Sequence, residues 1–222
     1  MRIRSLQSLH ITKQMVNRLL LFIFSIILFS CKEKSPQFEL SGHVENAFLG
    51  SSLNGVKATL FKQEVSNGVV NAFYVEETTG SSDANGTFHL YWPNQQVLSY
   101  KIKLEKENYY SREIVINPDE LQLSTVNSKW YEMFAKSWLN LNVTSSALTG
   151  SISFSSPETN EICECESLGN ISFTANEPLH IDCATFGNAY LKYVVFDSFG
   201  NILLVDSLLN LPFVSNPLQI SF

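Results

Sequence analysis

From residue 38 onward apolar and polar positions alternate along most of this chain. In FELSGHVEN, residues 38–46, apolar positions such as Phe38, Leu40 and Val44 are separated by polar ones, the period of two that a half-buried strand requires. Val56, Ala58 and Leu60 share one face of LNGVKATLFKQ, and Ala72, Tyr74 and Glu76 share a side of NAFYVEETT. Residues 83–86 read as a turn, because Asn-Gly tolerates the positive backbone angles of a tight reversal, and residues 87–92 leave it as a strand. Residues 100–105 and 111–117 make two more strands around a turn at 106–109. The stretch WYEMFAKSWLNLNVTS reads as a short helical or irregular connection that passes into a strand at 137–144, with Trp138 anchoring a second core. GSISFSS, GNISFTA, PLHIDCATFG and NPLQISF are further strands, and residues 197–201 turn one strongly apolar strand into another within KYVVFDSFGNILLVD. Helical periodicity is nearly absent. The expected fold is all-β, two antiparallel β-sandwich domains in tandem at residues 38–123 and 130–222.

The amino-terminal pattern differs. Residues 19–29 are apolar except for Ser25, eleven positions that fit the core of an export signal and fall short of the ~20 a membrane-spanning helix needs. Arg2, Arg4, Lys13 and Arg18 precede the run with no acidic residue, the cationic flank of such a signal. Met15 is an alternative start that leaves a compact signal with one arginine. The run ends in LFSC at residues 28–31, which resembles the lipobox of bacterial lipoproteins. That resemblance implies a signal peptide at 1–30, cleaved before Cys31, whose thiol carries diacylglycerol and whose amine carries a further acyl chain such as palmitate. Each buried methylene contributes about 0.8 kcal/mol, so two or three chains hold a protein on a membrane lastingly. Residues 31–37 then form a hydrophilic lipidated linker. The charged KEKSPQ segment is similar to the one that follows the lipid cysteine in Bacteroidetes-type lipoproteins displayed on the outer membrane. The location implied is the outer membrane, on its periplasmic or cell-surface side.

Composition narrows the partners. Beyond the leader, eleven basic residues face 21 acidic ones, a net charge near −10 that disfavours nucleic acid and anionic lipid heads. Sixteen Phe and eight Tyr in a chain that is 45% hydrophobic supply ample core and argue against disorder.

In the first module the order SGHVEN, LNGVKATLF, SSDANGTFHLYW, YKIKLEKENYYSREIVI resembles the carboxypeptidase regulatory-like domain, a transthyretin-like seven-stranded β-sandwich. Its most specific matches are Gly42 and Val44, the Gly55-Val56 pair, Asp83 with Gly86 and Phe88, and Tyr109-Tyr110 where the family often has Gly-Tyr. The resemblance implies a stabilising or adhesive role without catalysis. The second module resembles no characterised family beyond small Bacteroidetes-type lipoproteins.

Candidate chemistry is sparse. Cys163, Cys165, His180 and Cys183 suggest a zinc site, but a single residue between the paired cysteines is tighter than zinc knuckles use, and His180 and Cys183 fall on opposite faces of a strand. In an oxidising compartment a disulfide from Cys183 to Cys163 or Cys165 is favoured, with no preference between the two, leaving one thiol over. No metal and no cofactor is expected. His43 and His89 read as solvent-facing strand positions. Tyr91, Trp92 and Tyr109 are candidate ligand-contact aromatics for a sugar-stacking platform, which requires all three to be exposed. Asp119, Glu120, Glu158, Glu161, Glu164 and Glu166 offer carboxylates for glycoside hydrolysis or calcium binding, or are simply solvated in loops. No nucleophile elbow, phosphate loop or metalloprotease helix occurs. The expected function is a membrane-anchored, non-catalytic binding or structural accessory of the cell envelope with a protein or glycan partner. The alternatives are a carbohydrate-binding surface module and a hydrolase using the acidic loops.

Overall fold

A computed structural model describes residues 36–222 apart from residue 67 and the side chain of residue 66. The leader and Cys31 lie outside the described residues. Among the described residues no helix is long and apolar enough to cross a membrane.

The chain is all-β and builds its strands where the alternation runs. In β1 (Gln37–Asn46) every second residue is buried, and Leu40 and Val44 are fully enclosed while Glu39, Ser41 and His43 face outward. β5 (Thr87–Pro93) follows the same rule, whereas in β2 (Lys57–Ser66) Ala58, Thr59 and Leu60 are all buried. Between them lie β3 (Val69–Val70) and β4 (Val75–Ser81). β4 starts later than the sequence pattern suggests, so Ala72 is exposed outside any strand. β6 (Val97–Glu105) and β7 (Arg112–Ile116) complete the next hairpin, and β8 (Val126–Met133) follows.

Two sheets form this half. One has the order β5-β1-β8, and the other runs β2-β6-β7 with β3 and β4 on the open side of β2. Between them lies a core of Leu40, Leu60, Phe88, Trp92, Tyr100, Ile102, Leu104 and Met133. Two glycines make the packing possible. A Cβ on Gly42 would stand 2.1 Å from the Phe88 ring, so the bare backbone is the seat of that ring. Gly86 holds φ at 75° in the turn before β5, where a Cβ would stand 2.5 Å from the Val44 carbonyl oxygen.

The second half contains β9 (Lys136–Thr144), β10 (Gly150–Ser155), a one-turn helix α1 (Glu164–Ser167), β11 (Ile171–Phe173), β12 (Leu179–Phe186), β13 (Tyr190–Asp197), β14 (Ile202–Leu209) and β15 (Ser215–Ser221). Its sheets are β12-β9-β15 and β11-β10-β13-β14, around a separate core that includes Leu139, Leu141, Ile152, Leu191 and Val195. With β3 set aside, the two halves share one topology. In each, the first strand is central in a three-stranded sheet, antiparallel to the fourth and parallel to the last, and the second strand joins the third, fifth and sixth in the other sheet.

Three expectations are corrected here. The sandwiches are not purely antiparallel, since β8 lies parallel to β1 and β15 parallel to β9. Residues 130–133 do not open the second module: they end β8, whose inward Tyr131 and Met133 belong to the first core. Trp138 does not anchor the second core, because it is 37% exposed on the outer face of β9.

Only Phe134 and Ala135 separate β8 from β9, and the two halves are locked across that short link. Tyr110 N–H donates to the Phe134 carbonyl at 2.9 Å, Lys136 N–H to Asn108 at 2.8 Å and Gly187 N–H to Ala135 at 2.9 Å. Around these bonds Phe186 packs against Tyr110, Phe134 and Phe48 with ring centroids 5.1, 5.0 and 6.4 Å away.

Candidate functional site

Alternation decides the fate of the three candidate aromatics. Within β5, His89, Tyr91 and Pro93 point outward and Phe88, Leu90 and Trp92 inward. Trp92 is 2% exposed and packs on Phe38 and Tyr100 at centroid distances of 5.6 and 5.4 Å, so it is core. Tyr109 is half-buried at the link between the halves, bridged to Ala135 and 5.5 Å from the Phe213 ring. Only Tyr91 meets the exposure that the platform of Tyr91, Trp92 and Tyr109 required, and that platform does not form.

A different aromatic face exists around Tyr91. Register sets its outer rows across the β5-β1-β8 sheet: Tyr91, Glu39 and Val126; then His89, Ser41 and Ser128; then Thr87, His43 and Trp130. Trp130 is 71% exposed and its ring lies 4.1 Å from the His43 ring. Tyr91 donates its hydroxyl to Glu39 Oε1 at 3.0 Å, and that hydrogen bond to a carboxylate holds the phenol above its ordinary pKa. His89 stacks on Tyr91 with an interplanar angle of 13°, and its Nδ1 lies 3.5 Å from the same Glu39 oxygen. His43 and His89 thus share the face, as solvent-side strand positions, but bind to different neighbours. Beside Trp130 a cleft of about 330 Å³ is lined by Glu45, Arg112, Ile114, Lys129, Tyr131 and Glu132. Trp130 escaped the sequence reading because its segment was expected to be a connection. The signal lies in Tyr131 and Met133 alternating with Ser128, Trp130 and Glu132.

A second exposed surface is apolar. Among the described residues β14 ends its sheet with one edge unpaired and leaves Ile202, Leu203, Val205 and Leu209 at least one-third exposed. Ser207, in the same strand, is exposed as well.

The acidic residues do not converge on a cleft. Glu158 accepts the Tyr190 N–H at 2.9 Å and Glu164 the Ala184 N–H at 3.0 Å. Glu166 accepts the N–H groups of Ser156 and Cys163. Glu161 lies 3.8 Å from the Arg112 guanidinium, and Glu120 lies 3.3 Å from Lys129 Nζ. Among the described residues no group of three or more His, Cys, Asp and Glu side chains is placed to hold a metal ion. Cys165 and Cys183 form a disulfide that ties α1 to β12, while Cys163 is a buried free thiol with Ser156 Oγ 4.0 Å away. His180 faces solvent from the opposite side of β12, bonded to Asn142 and Asp182 at 2.9 and 3.1 Å.

No protein-family model matches the chain, and no curated protein matches it. Among solved structures, the Bacillus anthracis TIE protein is similar over 84% of this chain at 10% identity, with a TM-score of 0.38; the match spans 33% of that longer chain. GBS52, the minor pilin of Streptococcus agalactiae, is similar over 83% of this chain and 94% of its own, at 11% identity and a TM-score of 0.33. A DUF3823 family protein from Parabacteroides merdae is similar over 80% of this chain and all of its own, at 12% identity and a TM-score of 0.31.

Proposed function

We propose that this chain is a lipid-moored accessory of a bacterial cell envelope whose all-β body binds or scaffolds and does not catalyse. The observation that carries the reading is the use made of the acidic loop. A hydrolase of this type needs two carboxylates facing each other across a substrate. Glu158, Glu164 and Glu166 instead turn their oxygens to backbone N–H groups of their own fold and hold the segments around α1 in place. What the body offers outward is a flat aromatic and polar sheet face and an unpaired strand edge, the surfaces by which non-catalytic modules recognise partners. The Cys165–Cys183 disulfide supports residence in an oxidising space. The mooring is read from the apolar run, its cationic flank and Cys31, and the outer membrane, on its periplasmic or surface side, from the likeness of KEKSPQ to the segment after the lipid cysteine in Bacteroidetes-type lipoproteins.

The test is fractionation. Cys31→Ser is expected to move the protein from the membrane pellet to the soluble fraction, and unchanged sedimentation would count against lipid attachment. Non-catalysis is tested on the same protein: turnover of an envelope polysaccharide, lost on Glu158→Gln or Glu164→Gln without loss of folding, would replace this reading with the hydrolase.

A further inference from the structure

We infer that the outer face of the β5-β1-β8 sheet binds an uncharged glycan chain, stacked on Trp130 at one corner and Tyr91 at the other. This names a ligand class for the binding role proposed above and rests on that role.

The face lacks a continuous apolar centre. A protein interface is built around a contiguous, fully desolvated apolar centre. Here the two exposed rings stand at opposite corners. Two strand spacings across and four residues along put their backbones about 16 Å apart. The ground between them is Ser41, Ser128, His43 and His89, small or imidazole side chains that offer hydrogen bonds toward solvent. A sugar chain has that same division. Each ring carries an apolar C–H face, which an aromatic ring covers, and a rim of hydroxyls, which needs donors and acceptors nearby.

Both rings are also held before any ligand arrives. His43 lies against Trp130, and Tyr91 is fixed by Glu39 and flanked by His89, so little side-chain freedom remains to be lost on binding. The cleft beside Trp130 adds the carboxylates of Glu45 and Glu132 as acceptors, while Arg112 and Lys129 form its far wall and are already bonded to the Glu132 carbonyl and to Glu120. Charge selects among glycans: Glu39, Glu45 and Glu132 on this face, within a body carrying a net charge near −10, repel polyanions. The strands are extended and their outer surface is continuous, which suits a linear chain lying across the sheet rather than a compact ligand in a pocket.

The experiment uses the full-length protein in detergent, run through native gels cast with soluble neutral polysaccharides (xyloglucan, galactomannan, laminarin) or with anionic polygalacturonate. Retardation is expected in at least one neutral gel and absent in polygalacturonate. Trp130→Ala and Tyr91→Ala are each expected to weaken retention at least tenfold. Phe199→Ala, at an 89% exposed aromatic in the β13–β14 turn, should leave it unchanged. Both substitutions remove outward side chains, and an unchanged melting temperature confirms folding. No retardation in any neutral gel, or equal loss with Phe199→Ala, overturns the inference. The Cys31→Ser fractionation reads the mooring separately, so membrane attachment without glycan binding refutes this inference alone.

Discussion

Cys163 and Cys165 compete for Cys183, and chain entropy cannot choose between them. Closing the 18-residue separation of Cys165 and Cys183 removes about 3 kcal/mol of freedom from the unfolded chain. Closing the loop from Cys163 instead changes that term by about 0.1 kcal/mol, because it depends only on the logarithm of length. Packing must therefore decide. Cys163 caps α1 with its N–H held by Glu166 at 3.0 Å, and its thiol is already seated against Ser156 and Thr185, whereas Cys165, inside the helix, is the sulfur that meets Cys183. Burial also holds its thiol above the ordinary pKa, which keeps it protonated and slow to exchange. The perturbation is reduction of the wild type, compared with Cys163→Ala and Cys165→Ala, followed by calorimetry and denaturant unfolding. Reduction and Cys165→Ala should each cost about 3 kcal/mol, a fall of roughly 6–12 °C for a body of this size. Cys163→Ala should keep its sensitivity to reductant. A Cys163→Ala protein whose melting temperature ignores reductant would show that Cys163 is the true partner and refute the reasoning.

Two further outcomes follow from packing. Burial pushes the Tyr131 hydroxyl up to about 12 and Tyr110 higher still, so each binds its proton more tightly folded than unfolded. Their stabilisation is complete below the unfolded value near 10 and is lost as pH rises toward the folded one, at about 1.4 kcal/mol per pH unit per tyrosine. Denaturant midpoints between pH 9 and 12 should show that slope, reduced in Tyr131→Phe; an identical slope in the variant would remove Tyr131 as a cause. Phe186→Ala empties the aromatic contact between the halves and should cost about 3–5 kcal/mol. Calorimetry of this variant is expected to resolve two transitions where the wild type shows one, and a single transition would mean that the backbone bonds at 108–136 couple the halves unaided.

The strands were legible in the chain itself. A period of two is a local property, so the positions of β1, β5, β6, β9 and β12 follow from residue alternation, and the turns at Asp83 and Asp197 from the few residues that tolerate them. Composition likewise settled that the body has a large apolar core. Alternation names two faces of a strand without saying which one is covered. Tyr91 and Trp92 are adjacent aromatics that the sequence treats alike, and only the sheet packed behind β5 makes one core and the other surface. Trp138 was misplaced for the same reason. Strand neighbours far apart in sequence are also invisible locally: β8 beside β1 and the identical return of β15 beside β9 arise from long-range closure of each core. That closure made Trp130 a neighbour of His43 and chose Cys165 over Cys163, two facts that no spacing along the chain contains.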